Sequence, residues 1–143
     1  MGIWQAIRRL VSRERTPSPH LPATMDADEV EPVVAEITAH ELREALAQPG
    51  PGGSPPLVLD VREPYEWRQV RMPGARHMPM NRMPEQLDDL PRDRRIVVVC
   101  AHGSRSYSVA AWLTEHGYPA ASLQGGITQW TIQGGPIEQG APQ

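Results

Sequence analysis

The chain contains no lysine: all 14 of its basic residues are arginine. That excludes a lysine nucleophile or a Schiff base. A single cysteine, Cys100, excludes an intramolecular disulfide. It leaves a free thiol, which persists best in a reducing compartment, so the expected location is the cytoplasm. No run approaches the roughly 18 apolar residues that cross a bilayer, and no apolar stretch near the start resembles the core of a secretory signal. A surplus of positive charge is missing as well; the formal net charge of −3 argues against nucleic acid as a partner.

Proline and glycine, in contrast, are plentiful, at 16 and 12 of 143 residues, while the hydrophobic fraction is a modest 39%. That balance suits one core flanked by irregular segments. The arginine, alanine and proline bias is of the kind a GC-rich bacterial genome produces. Three parts are expected. Residues 1–33 read as an N-terminal tail, with a basic amphipathic start followed by a disordered linker rich in proline and charge. In that start, Ile3, Ile7, Leu10 and Val11 recur at helical spacing between arginines, so residues 1–13 are a candidate contact for a protein partner or a membrane surface. Residues 34–135 form the domain, and 136–143 a flexible C-terminal tail.

Within the domain, short apolar strands alternate with short helices. "VVAEI" reads as a strand. Thr38 then opens "TAHELREAL" with Glu41 three positions on, the signature of a capping box. "LVLDV" is a continuous apolar run, as expected of a strand covered on both faces. "EPYEWRQV" and "MPEQLDDL" read as short helices, "MPGARHMPM" as a turn and strand, and "IVVVC" as a second buried strand. "SYSVAAWLTEHG" follows as a helix closed by Gly117, then "AASL" as a strand. The alternation predicts an α/β fold with a central, mostly parallel five-stranded sheet and helices on both faces.

In an open parallel sheet, ligands bind beyond the carboxyl ends of the strands. Cys100 stands at such an end, ahead of "AHGSRS". That loop is small, polar and glycine-containing. It leads directly into a helix, so its amides can form an anion-binding nest with Ser104 or Ser106 as helix cap. Amides and a helix start stabilise the thiolate form of a cysteine, which then needs no separate general base. His102 lies inside the loop, where it tunes the thiolate, contacts a bound ligand or faces solvent. "HMPMNRM", with Met72 upstream, gathers His77, Met78, Met80 and Met83. Soft ligands of that kind suit Cu(I), but alternate positions of a short strand filling a core are the stronger reading, and no metal site is assigned.

Four segments in order give the chain a family resemblance. "LVLDVREPYEW", "MPGARHMPM", "IVVVCAHGSRS" and "SLQGGITQW" together resemble a single rhodanese-type domain from about Ile37 to Gly134. The resemblance implies a rhodanese-like fold and sulfur transfer without a cofactor. It implies Cys100 as the nucleophile that becomes a persulfide. The amides of Ala101, His102, Gly103, Ser104 and Arg105 would surround the terminal sulfur, and the Arg105 side chain would favour a small anionic donor such as thiosulfate. A thiol or cyanide would be the acceptor. Asp60 and Arg62 match an Asp-x-Arg element and read as a supporting ion pair, with Ser106 as a further support. Arg71 departs from the pattern, standing where a histidine is usual. Two other classes are weighed: a non-enzymatic sulfur carrier or partner-docking module, and a phosphatase or arsenate-reductase-like enzyme. Phosphate sites of this architecture place five residues between cysteine and arginine, whereas four separate Cys100 from Arg105 here.

Overall fold

A computed structural model describes residues 33–48 and 53–140. The expected tail at 1–33 and its amphipathic start therefore lie, but for Val33, outside the described residues. Five strands form one parallel sheet: β1 (Ala35–Ile37), β2 (Leu57–Asp60), β4 (Arg76–His77), β5 (Ile96–Val99) and β6 (Ala120–Leu123), in the order β1-β6-β5-β2-β4. All of the pairings in this sheet are parallel. Among the described residues no helix is long and apolar enough to cross a membrane.

β5 lies at the centre, between β6 and β2. All four of its residues are fully buried, which is what the run of β-branched residues required. Side-chain alternation divides the core into two layers. Leu57, Leu59, Ile96 and Val98 face one layer; Val58, Val97, Val99 and Leu123 face the other. The first layer is closed by α4 (Ser104–Glu115) through Val109, Ala110 and Leu113. The second is closed by α1 (Ala39–Ala47) through Leu42 and by α5 (Gly126–Ile132) through Ile127 and Trp130. The capping box forms as the sequence indicates, with Glu41 N donating to Thr38 Oγ1 and Thr38 N to Glu41 Oε1, each at 3.1 Å.

Met78, Met80 and Met83 are buried in the first layer, Met72 in the second. The methionines thus fill core space on opposite faces of the sheet. His77 stacks on Trp67 of α2 (Pro64–Gln69), with ring centroids 4.7 Å apart and 7° between planes. Its Nε2 lies 2.9 Å from the Arg62 carbonyl, so Nε2 carries the proton.

Of the expected tail at 136–143, residues 136–140 are described, and they include a short strand. β7 (Glu138–Gln139) pairs antiparallel with β3 (Val70–Arg71). Arg71 is buried and holds that pairing. Its Nη1 donates to the Gly140 carbonyl at 2.5 Å, and its Nε lies 3.5 Å from Glu138 Oε2. The arginine that departs from the family pattern thereby supplies the cation that anchors β7.

Asp60, the last residue of β2, and Arg62 form a buried pair. Arg62 Nη2 donates to Asp60 Oδ2 at 2.8 Å and to the Val70 carbonyl at 2.6 Å, and Arg62 Nε reaches Asp60 Oδ1 at 3.0 Å. The Arg62 amide also donates to Asp60 Oδ1 at 3.0 Å, an Asx-type turn that bends the chain off the strand end. One guanidinium thus ties β2 to β3. Removing one partner of such a pair strands the other charge in the interior. Arg62→Ala is therefore expected to cost about 3–5 kcal/mol, read from urea unfolding midpoints. A loss below about 1 kcal/mol, the range of exposed pairs, would show that the pair does not carry this corner of the fold.

Candidate active site

Cys100 follows β5 directly and is 1% exposed. The loop that leaves it is fixed from behind. The Cys100 carbonyl accepts from Ile127 N at 2.9 Å, and the Ala101 carbonyl from Thr128 N at 3.1 Å. Both donors lie in the first turn of α5, where amides have no partner within the helix. The approach is close because Gly125 and Gly126 precede them. Both take positive φ, 72° and 61°, and a Cβ on Gly126 would collide with the Cys100 and Ala101 carbonyls. With its carbonyls turned toward α5, the loop presents amides on its other side.

Two amides further along the chain reach the sulfur. Gly103 N donates to Cys100 Sγ at 3.0 Å and Ser106 N at 3.3 Å. Gly103 supports this curvature with a φ of 106°, in the region that favours glycine. It is also the residue that precedes α4, without a side-chain cap; neither Ser104 nor Ser106 caps the helix. Ser106 instead sits in the first turn, fully buried. Its Oγ donates to the Gly103 carbonyl at 3.1 Å and lies 2.8 Å from Ser122 Oγ and 3.4 Å from Cys100 Sγ. Because Ser106 has one proton, given to Gly103, the thiol and the Ser122 hydroxyl both donate to it.

The remaining expected residues fall as follows. Ala101 is half-buried, while His102 and Ser104 are exposed. The Arg105 guanidinium does not lie on the thiol. It forms a bidentate pair with Glu66 of α2, Nη1 to Oε2 and Nη2 to Oε1, each at 2.9 Å. The Arg105 hydrogen bond holds the Glu66 carboxyl below its usual range, and the same bond raises the Arg105 guanidinium. Both groups are therefore charged at neutral pH. A carboxylate whose folded value is lowered contributes its stabilisation above the unfolded value of about 4.3 and loses it as pH falls through the lowered one. Glu66, Ser122, Gly125 and Gly126 carry site geometry; all four lie in segments that carry the family resemblance, but the sequence alone gives none of them a role in the site. Their signals are a glutamate within the "DVREPYE" opening, a hydroxyl in the buried strand "AASL", and a double glycine straight after that strand.

Residues 38–133 match the model of the rhodanese-like domain, and the chain belongs to that family. A sulfurtransferase of Allochromatium vinosum is 36% identical over 106 residues, 73% of this chain and 95% of the relative. A thiosulfate sulfurtransferase GlpE of Stutzerimonas stutzeri is 30% identical over 93 residues, 64% of this chain and 77% of the relative. Among solved structures, a rhodanese-related protein from Thermoplasma volcanium aligns with a TM-score of 0.65 at 31% identity, over 73% of this chain and 97% of its own. These likenesses support sulfur transfer as the general activity.

The double glycine gives a direct test of how the loop is held. Gly126→Ala introduces a methyl group into backbone, at a positive φ. The expected loss is about 1–3 kcal/mol from overpacking, with sulfur-transfer activity falling further than stability accounts for. A variant with unchanged melting temperature and activity would show that α5 does not fix the loop.

Proposed function

We propose that the protein is a sulfurtransferase that moves a sulfane sulfur from thiosulfate or another persulfide-type donor to a thiophilic acceptor through a Cys100 persulfide. The observation that carries this reading is the pair of amides from Gly103 and Ser106 at 3.0 and 3.3 Å from Sγ. Amide dipoles aimed at a sulfur favour its anionic form, the nucleophile in such chemistry.

In the first half-reaction the Cys100 thiolate attacks the outer sulfur of thiosulfate. The sulfur–sulfur bond of the donor breaks, its electron pair leaves with sulfite, and Cys100 becomes a persulfide anion. In the second, a thiol or cyanide attacks the terminal sulfur and the Cys100 thiolate returns. The amides of Ala101, His102, Gly103, Ser104 and Arg105 face the terminal sulfur in this reading. Ser106 supports both states: once the thiol proton is gone, its hydroxyl can turn from the Gly103 carbonyl to the sulfur 3.4 Å away. Asp60 and Arg62 act structurally, through the corner they hold between β2 and β3. No cofactor takes part, and the cytoplasm is the expected setting.

A phosphatase reading is disfavoured by the four-residue interval between Cys100 and Arg105 and by the engagement of Arg105 with Glu66. Hydrolysis of an aryl phosphate is expected to stay at background. A pure carrier role shares the same persulfide and differs in needing a protein acceptor. The decisive variant is Cys100→Ser, whose hydroxyl is a far poorer nucleophile toward sulfur. It is expected to fold normally and to lose thiosulfate:cyanide turnover. Turnover near the wild-type rate would overturn the mechanism.

A further inference from the structure

The arginine of the active loop is already occupied. Arg105 lies fork to fork on Glu66, with the two side chains 28% and 16% exposed. Such a pair is planar, directional and shielded on most sides. Glu66 is itself anchored, because its Oε2 also accepts from Glu63 N at 2.8 Å in the capping box that starts α2. Pro64 occupies the first turn of that helix and fixes its backbone. The carboxylate therefore cannot follow the guanidinium if the latter swings toward the thiol. A dianionic donor that recruits Arg105 must break two hydrogen bonds and leave Glu66 unpaired beside the new negative charge.

We propose that Glu66 is a specificity-determining residue: by holding Arg105 in a neutral pair beside the thiol, it selects organic persulfide donors over inorganic dianions such as thiosulfate. This rests on the Cys100 persulfide reading given above. An organic persulfide, RSS⁻, brings one negative charge at its reacting end, and any carboxylates of R lie several bonds away. The Cys100 thiolate attacks its outer sulfur, the bond between the two donor sulfurs breaks, and the electron pair leaves with the thiolate RS⁻. Two charges result: one on the terminal persulfide sulfur, where the loop amides serve, and one on RS⁻, which takes a proton from solvent as it leaves. Thiosulfate adds the charge of a sulfonate, and its natural counterion in this site is the guanidinium that Glu66 holds.

The test compares glutathione persulfide and thiosulfate as donors to the full chain, with cyanide as acceptor and kcat and KM determined separately. The wild type is expected to show a kcat/KM at least tenfold higher for glutathione persulfide. Glu66→Gln keeps a carbonyl oxygen for the Glu63 amide while removing the charge. It is expected to lower KM for thiosulfate and to move the donor ratio toward thiosulfate by about tenfold, the equivalent of about 1.4 kcal/mol. Adding Arg105→Ala to that variant is expected to cancel the gain. Glu66→Asp, too short to span both guanidinium nitrogens, is expected to move the ratio in the same direction and supplies the comparison should Glu66→Gln fold poorly. A donor ratio unmoved in the folded variants would overturn the inference while leaving the persulfide mechanism standing. So would a thiosulfate KM raised by Arg105→Ala in an otherwise wild-type chain and not lowered by Glu66→Gln. Failure of both donors to load Cys100 would overturn the persulfide reading and this inference with it.

Discussion

The site depends on two carbonyl groups pointing the right way. The carbonyls of Cys100 and Ala101 are captured by the amides of Ile127 and Thr128 in the first turn of α5. A chain segment that commits its carbonyls to one side presents its amides to the other. That constraint turns the amides of Ala101 and His102 away from α5, and the loop so placed brings those of Gly103 and Ser106 onto the sulfur. It also explains the glycines: Gly126 can approach the loop only without a Cβ. The exchange is mutual, since the first-turn amides of α5 gain the acceptors that a helix start lacks. Strand β5 fixes where the loop begins and α5 fixes which way it faces.

The charges around the thiol form closed pairs. Asp60 and Arg62 neutralise one another in the interior, and Glu66 and Arg105 do so at the edge of the loop. The groups within hydrogen-bond reach of the sulfur are dipoles, two backbone amides and the Ser106 hydroxyl. Fixed dipoles stabilise a small anion without needing to reorganise when charge moves from Sγ to a terminal sulfur. A free cation would bind the donor's leaving group as tightly as its transferable sulfur. The two pairs also serve different ends. Arg62 ties β2 to β3 and so holds the neighbouring loop, whereas Glu66 sets the electrostatic character of the entrance.

Much of this was legible in the chain itself. Continuous apolar runs identified β2 and β5, and the position of Cys100 at the end of one of them identified the loop. Asp60 and Arg62, which match the family's Asp-x-Arg element, form an ion pair in the interior. What was not legible was long-range. Nothing local says that Arg105 bonds a glutamate 39 residues away, because guanidinium partners are chosen by how α2 lies against the loop. The role of Arg71 in anchoring β7 was hidden for the same reason, since its contacts lie across the antiparallel pairing with the chain end. Ser106 looked like a helix cap because serine favours that position. The observed start is one that Gly103 makes through its left-handed conformation, leaving Ser106 inside the first turn with its Oγ 3.4 Å from the sulfur.

Activity assays report the sum of donor binding, transfer and release. The persulfide itself is the shared element of every step proposed, and it changes the mass of the protein. The most direct measurement is therefore the intact mass after separate incubation with thiosulfate and with glutathione persulfide, followed by localisation of the added mass by peptide mapping. The account predicts a gain of one sulfur atom on Cys100, removed by cyanide with release of thiocyanate. A protein whose mass does not change with either donor, or whose added sulfur survives cyanide, would contradict it.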